Sequence, residues 1–224
     1  GSTPNNTLTN RTVSGLIDGT YTFVVEATDG SGLSDNSSEV RITVDQTGPN
    51  TTINTANTTQ AAQNITINFT ATDKTSATLA YTVFVNDISN ATGTLPANTS
   101  VTQTIATLSP AVSTIRVETR DALGNAANST RDLLVTVDQQ APNASITSPV
   151  SGDNTSDDTP TITFVLQDDF AESIGYRIYV DGGSVATGTA VNNTVENVDL
   201  PAQPDGPRSI VVEAEDAAAN RANS

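Results

Sequence analysis

Aspartates recur at matching positions along this sequence, and they are the residues best suited to chemistry. Asp45 returns as Asp138, and Asp121 returns as Asp216. Carboxylates that converge without a neutralising cation repel one another, and Ca²⁺ relieves that repulsion because it accepts roughly six to eight oxygen ligands in irregular geometry. The candidate calcium ligands form two groups, the first being Asp45, Asp73 and Asp121 and the second being Asp138, Asp168, Asp169 and Asp216.

Aspartate at such positions also has a simpler role. Its side chain accepts hydrogen bonds from backbone N–H groups that follow it, which favours tight turns. The spacing leaves both interpretations open, and the elements that carry these residues must decide whether the carboxylates meet.

Those elements belong to a tandem repeat. Val-Asp-Gln at residues 44–46 returns at 137–139, followed in each case by a proline at 49 and 142. Val25-Glu26 matches Val117-Glu118 and then Val212-Glu213. A repeat of about 90 residues is the size of a domain and too long for a solenoid turn, so each copy should bury its own core.

Period-two alternation of apolar and polar residues runs through each copy and predicts strands. Tyr21, Phe23, Val25 and Ala27 share one face of the first such strand. Short strands between turns of Gly, Asn, Asp, Ser and Pro predict an all-β chain of tandem Ig-like antiparallel β-sandwich domains, about seven strands each. The predicted divisions are 1–48, a partial repeat with strands E to G, then 49–141, a complete sandwich, and 142–224, a sandwich lacking its last strand.

The middle copy can be assigned strand by strand in immunoglobulin order. Strands A, B, C, E, F and G are predicted near residues 51–53, 64–72, 79–86, 101–108, 114–120 and 133–138. The inward register predicts a core that contains Phe69, Tyr81, Val83, Ile115, Val117, Val135 and Val137.

The loops after strand F carry a family resemblance. The segments Asp29-Gly30-Ser31-Gly32, Asp121 to Asn125 and Asp216 to Asn220, together with the Val-Asp-x-x-x-Pro linkers, resemble bacterial Ig-like repeats with a D-A-A-G-N loop and a V-D-T-T-A-P linker. Such repeats build the stalks of very large adhesins on bacterial and archaeal surfaces. Ala219 replaces the glycine of the last loop, and Gln46-Thr47 and Gln139-Gln140 replace Thr-Thr.

The resemblance implies where the aspartates lie. In an Ig sandwich the B–C and F–G loops lie at the end where strand A begins, so they face the linker from the preceding domain. The two groups of aspartates are therefore expected at two joints between copies. Family members with interdomain calcium imply that calcium would stiffen the stalk.

Sequons form a second signal. Thirteen Asn-x-Ser/Thr sites occur, where random placement of these residue types would give about five. The excess favours N-glycosylation and an archaeal cell surface, while an Asn- and Thr-rich coat on a β-protein is the alternative. The candidate sites are Asn5, Asn10, Asn36, Asn50, Asn57, Asn64, Asn68, Asn90, Asn98, Asn128, Asn143, Asn154 and Asn192.

Composition excludes several functions. With 25 acidic and 9 basic side chains, the net charge of −16 opposes binding to nucleic acid or to an anionic membrane surface. The absence of Cys and His removes disulfides, Cys/His zinc sites and catalysis by either residue. No run of about 18 apolar residues predicts a membrane span. Without a Met, the sequence is expected to be an internal piece of a longer protein.

These observations predict a non-enzymatic stalk or scaffold module of an extracellular adhesin, filament or surface-layer protein at the cell surface. The expected partners are further copies of the same repeat and neighbouring subunits of a surface assembly. Two alternatives remain: a carbohydrate-binding or accessory domain of a secreted enzyme, and a filament subunit that polymerises by β-strand donation at an unpaired sheet edge.

Overall fold

The structure consists of strands joined by turns and loops. The computed structural model describes residues 1–224 and contains twenty strands. No helix of the length and hydropathy of a membrane span occurs. The all-β prediction is confirmed, and the strands pair almost entirely in antiparallel fashion.

The first 48 residues form two small antiparallel pairs. These are β1 (Gly19–Phe23) with β4 (Val40–Val44), and β2 (Glu26–Thr28) with β3 (Ser34–Asn36). The single strand expected through residues 21–27 is interrupted between β1 and β2, because Val25 exchanges hydrogen bonds with Ser37 instead of with β4. Val25 and Val40 are exposed, since no second sheet covers them.

The next part of the chain forms two facing sheets. Their strands are β5 (Asn50–Ile53), β6 (Thr58–Gln60), β7 (Ile65–Thr72), β8 (Thr78–Val85), β9 (Ile88–Pro96), β10 (Thr99–Ile105), β11 (Val112–Arg120), β12 (Ala126–Asn128) and β13 (Leu133–Val137). One sheet has the order β10-β7-β5, and the other has the order β6-β13-β11-β8-β9, with β12 also paired to β11. This is the strand order of an immunoglobulin-like sandwich.

A single apolar core lies between these two sheets. It holds 16 buried residues, and at its centre Phe69 meets Tyr81 edge to face with ring centroids 5.1 Å apart. All of the predicted core residues are buried, namely Phe69, Tyr81, Val83, Ile115, Val117, Val135 and Val137. The inward register assigned from period-two alternation is therefore confirmed.

Three strands of this sandwich, β6, β9 and β12, were absent from the predicted set. β9 lies at the sheet edge beside β8, and Gly93 in β9 faces Tyr81 so closely that an added Cβ would lie 2.5 Å from the tyrosine hydroxyl. A strand that needs glycine opposite a tyrosine has little apolar alternation to reveal it. β6 is a three-residue parallel partner of β13 made of Thr-Thr-Gln, which carries no alternation at all.

The remaining strands build a second sandwich of the same kind. They are β14 (Asn143–Ser148), β15 (Thr161–Gln167), β16 (Ser173–Val180), β17 (Gly183–Val191), β18 (Val195–Asp199), β19 (Ile210–Glu215) and β20 (Arg221–Asn223). The sheets have the orders β14-β15-β18 and β17-β16-β19-β20. Phe164 and Tyr176 repeat the edge-to-face pair at 5.0 Å, and Gly188 repeats the close approach to the tyrosine hydroxyl. The two sandwiches are thus copies down to their central contacts.

Candidate metal centre

Strand ends bring six aspartates into two clusters, each where one repeat leads into the next. The first triad is Asp45 after β4, Asp73 after β7 and Asp121 after β11. The second triad is Asp138 after β13, Asp168 after β15 and Asp216 after β19. Within each triad, one carboxylate oxygen from each residue lies within 4.8 Å of those from the other two. Each triad therefore joins a linker to two loops of the sandwich that follows.

Asp169, the seventh candidate, does not join the second triad and is exposed. Its negative charge still acts on the neighbouring Asp138. The equivalent position beside the first triad is Lys74, which follows Asp73. The two joints therefore carry opposite charges next to otherwise similar clusters.

The turn-forming role and the clustering of the aspartates occur together. Asp73 Oδ1 accepts hydrogen bonds from the N–H groups of Thr75 and Ser76 at 2.9 and 2.7 Å. Asp168 Oδ1 does the same for Phe170 and Ala171 at 3.0 and 2.7 Å. Oδ1 of Asp73 and Oδ1 of Asp168 therefore stabilise the loops that carry them, and Oδ2 of each residue is the oxygen left for contacts at the joint.

The two triads differ in the hydrogen-bond partners of their Oδ2 atoms. In the first, Asp45 Oδ2 accepts a hydrogen bond from the Thr75 hydroxyl. In the second, Phe170 occupies the place of Thr75, and Asp138 Oδ2 and Asp168 Oδ2 are both buried without a hydrogen-bond partner. A buried carboxylate oxygen without a partner is costly, and a native structure rarely keeps one without a reason.

The burial of Asp138 and the negative charges around it also favour a cation at the second triad. Asp138 is 1% exposed. Burial raises the pKa of Asp138 against the lowering effect of the Gln140 N–H, and the negative charges of Asp168, Asp216 and Asp169 raise it further. The charged form of this carboxylate is thus disfavoured unless a positive group balances it. An all-oxygen set of this kind suits a hard divalent cation such as Ca²⁺ or Mg²⁺.

Asp121 behaves differently, since several donors surround it. Burial is the largest influence and raises its pKa, but hydrogen bonds from the side chain and N–H of Asn125 and from the N–H groups of Leu123 and Gly124 leave the pKa of Asp121 lowered overall. Asp121 of the first triad therefore holds its charge more readily than Asp138 of the second.

An asparagine beside each triad was not identified as a site residue from the sequence. Asn125 Nδ2 donates to the main-chain oxygen of Asp45 at 3.1 Å, across the first joint. Asn220 Nδ2 donates to the main-chain oxygen of Asp138 at 3.0 Å, across the second. The available signal was the shared Asp-x-x-x-Asn spacing of these two loops.

The last of these loops shows why its glycine can be replaced. Ala219 takes φ 68° where Gly32 and Gly124 take φ 87° and 95°. A non-glycine residue in this left-handed region carries a cost of order 1 kcal/mol. The loop keeps its shape despite the substitution, because Asp216 still receives N–H hydrogen bonds from Ala218 and Asn220.

The sequon asparagines differ in solvent exposure. All except Asn68 and Asn192 are exposed. Asn192 Nδ2 donates to the main-chain oxygens of Asp168 and Ala171 at 2.7 and 2.8 Å, while its Oδ1 accepts from the Asp168 N–H at 3.0 Å. This amide holds the loop that carries Asp168 and has no free hydrogen.

Comparison with known proteins finds similarity among solved structures only. No protein-family model matches the chain, and no curated protein matches it. A solved structure of fibronectin(III)-like modules of CbhA from Clostridium thermocellum is similar, at 18% identity and a TM-score of 0.45, over 78% of this chain and 90% of that one. The fold assignment here follows from the strand order and register of the chain itself.

Proposed function

We propose that this chain is a non-enzymatic structural module of an extracellular surface protein, an adhesin, filament or surface-layer protein, in which calcium stiffens the joints between Ig-like sandwiches. The observation that carries the proposal is the pair of buried, unpartnered carboxylate oxygens on Asp138 and Asp168, next to Asp216. The tandem copies supply the stalk, and further repeats or neighbouring subunits are its partners.

The argument for a cation rests on charge and desolvation. Three carboxylates within 4.8 Å of one another carry a charge that the surrounding residues do not neutralise, since Asp169 adds to it. A divalent ion supplies both the missing charge and the missing ligands of Asp138 Oδ2 and Asp168 Oδ2. Asp138, Asp168 and Asp216 would hold the ion at the second joint, and Asp45, Asp73 and Asp121 would hold one at the first.

The two triads differ in how much they need a cation. In the first, the Thr75 hydroxyl already satisfies Asp45 Oδ2, and Lys74 follows Asp73. In the second triad, no hydroxyl donates to Asp138 Oδ2, and Asp168 is followed by Asp169 instead of a lysine. We therefore assign the tighter calcium site to the second triad.

Calcium titration of the full chain by calorimetry tests this assignment. The parent chain is expected to bind calcium, and Asp138→Asn should weaken the tighter site by at least about 10-fold, as for other changes within metal sites. Asp169→Asn removes the same charge from an exposed position outside the triad, so it should have a much smaller effect. Absence of binding heat in the parent, together with a melting temperature unchanged by calcium, would reject the proposal.

Carbohydrate recognition has less support in this fold. Sugar sites use exposed aromatic faces, and the large aromatics Phe69 and Phe164 are fully buried here. Phe170 is 38% exposed, but it stands alone beside the second triad. A binding module would need a wider aromatic platform than this single side chain.

N-glycosylation is part of the proposal because most sequon asparagines point to solvent. Glycopeptide mass spectrometry of the protein from its native source is expected to find glycans at exposed sites such as Asn143 and none at Asn192. Attachment at Asn192 would replace a hydrogen of Nδ2 that binds the loop carrying Asp168. A glycan at Asn192 in folded protein, or unmodified asparagine at every exposed sequon, would contradict this expectation.

A further inference from the structure

We infer that Asn125 and Asn220 are latch residues, by which each sandwich binds the main chain of the linker that precedes it. In both joints the side-chain amide divides its two hydrogens between two acceptors. Asn125 Nδ2 donates to Asp121 Oδ2 at 2.7 Å and to the Asp45 main-chain oxygen at 3.1 Å. Asn220 Nδ2 donates to Asp216 Oδ2 at 2.8 Å and to the Asp138 main-chain oxygen at 3.0 Å.

The Asp29 loop, which has no asparagine at the corresponding position, shows that the loop closes without the latch residue. Asp29 Oδ1 accepts from the N–H groups of Ser31 and Leu33 at 2.8 and 3.0 Å. Asp121 Oδ1 accepts from the equivalent residues, Leu123 and Asn125, both at 2.9 Å. Leu33 stands where the other loops have asparagine, yet the loop closes with the same hydrogen bonds. Closing the loop therefore does not require the amide of Asn125 or Asn220, and its second hydrogen bonds the linker outside the loop.

The bond to the linker is made to a main-chain oxygen, so it does not depend on the side chain at that position. It fixes the backbone of Asp45 or Asp138 against the following sandwich, and the carboxylate of the same residue is then directed to the other two aspartates of its triad. The first joint adds a steric contact, since a Cβ on Gly48 would lie 2.8 Å from the Ala126 oxygen. The partner of the latch is the Val-Asp linker of another copy of the repeat.

This contact requires no metal, so it goes beyond the calcium proposal and can be tested when calcium is absent. The latch predicts that a repeat with asparagine at the end of its Asp loop docks on the preceding linker even in chelator. A repeat with leucine at that position, as in the Asp29 loop, would keep its fold but dock more loosely.

Distance measurement across the second joint tests the latch. The chain has no Cys, so Thr102→Cys and Thr187→Cys, both at exposed positions in different sandwiches, accept spin labels without competition. In chelator, Asn220→Leu is expected to broaden the distance distribution between the labels and to leave the melting temperature of the sandwich nearly unchanged. Asn220→Ala should do the same without adding bulk.

Ala218→Leu is the matched control, because it adds a leucine to the same loop at the place where Asp121's loop carries Leu123. It should leave the distribution as narrow as that of the parent. An unchanged distribution in both Asn220 variants would overturn the inference. So would loss of folding or a large fall in melting temperature in both, because the asparagine would then act within its own sandwich. Neither result depends on whether calcium binds.

Discussion

Replacing Phe69 with Ala is expected to lower the free energy of unfolding of the middle sandwich by about 3–5 kcal/mol. Phe69 has no exposed surface and packs edge to face on Tyr81 with ring centroids 5.1 Å apart. Its removal would expose the centre of a core that has only a few large side chains, so neighbouring residues could fill little of the cavity.

Urea denaturation of the full chain, with amide exchange in β7 as the local probe, measures this loss. Phe84→Ala is the matched control, because Phe84 lies on the outer face of the same sandwich under the Arg116 guanidinium, 5.1 Å from the ring centroid, and is only partly buried. It should cost clearly less. A loss below about 1 kcal/mol for Phe69→Ala would mean that the residue does not pack as a large core aromatic.

Large apolar residues at alternate positions explain why the fold was predictable from the sequence. Phe69 and Val117 each occupy an inward position of a strand whose outward positions are mostly polar. β9 was missed because two of its three inward residues, Ala91 and Gly93, are small, with Gly93 under the Tyr81 ring. Alternation in the sequence identifies a buried strand only where the inward side chains are large and apolar. It does not identify a strand whose inward space is filled by a side chain of the neighbouring strand, as Tyr81 fills it beside Gly93.

The location of the triads could be predicted from topology, whereas their chemistry could not. Strand ends that meet at one end of a sandwich bring Asp73 and Asp121 together, and the linker adds Asp45. No pattern in the sequence showed that Thr75 would bond Asp45 or that Phe170 would leave Asp138 without a donor. Such differences depend on the direction of single side chains.

The asparagine latch escaped sequence analysis for a related reason. Asn125 and Asn220 contact main-chain oxygens of another repeat, and a contact of this kind produces no charge pairing and no hydrophobic period. Only the recurrence of the Asp-x-x-x-Asn spacing, and its absence at Leu33, was visible in the sequence.

Removing calcium is expected to loosen the second joint without breaking the contact of Asn220 with the Asp138 main chain, while both sandwiches stay folded. The triad of Asp138, Asp168 and Asp216 lies at the end of the last sandwich, and none of the three belongs to its apolar core of 12 buried residues. Without a cation, three carboxylates within 4.8 Å of one another repel across the joint. The expected change is therefore in the relative position of the sandwiches, and the core should melt as before once the loss of bound ligand is allowed for.

Small-angle scattering of the full chain, with calcium and then with chelator, is the most direct measurement. Calcium should give a long, narrow distance distribution, and chelator should broaden it or shorten its maximum dimension. Asp138→Asn should be much less responsive to calcium, while Asp169→Asn should respond as the parent does. A parent chain whose distance distribution is identical with calcium and with chelator would contradict a calcium-stiffened stalk and leave the aspartates as ordinary turn residues.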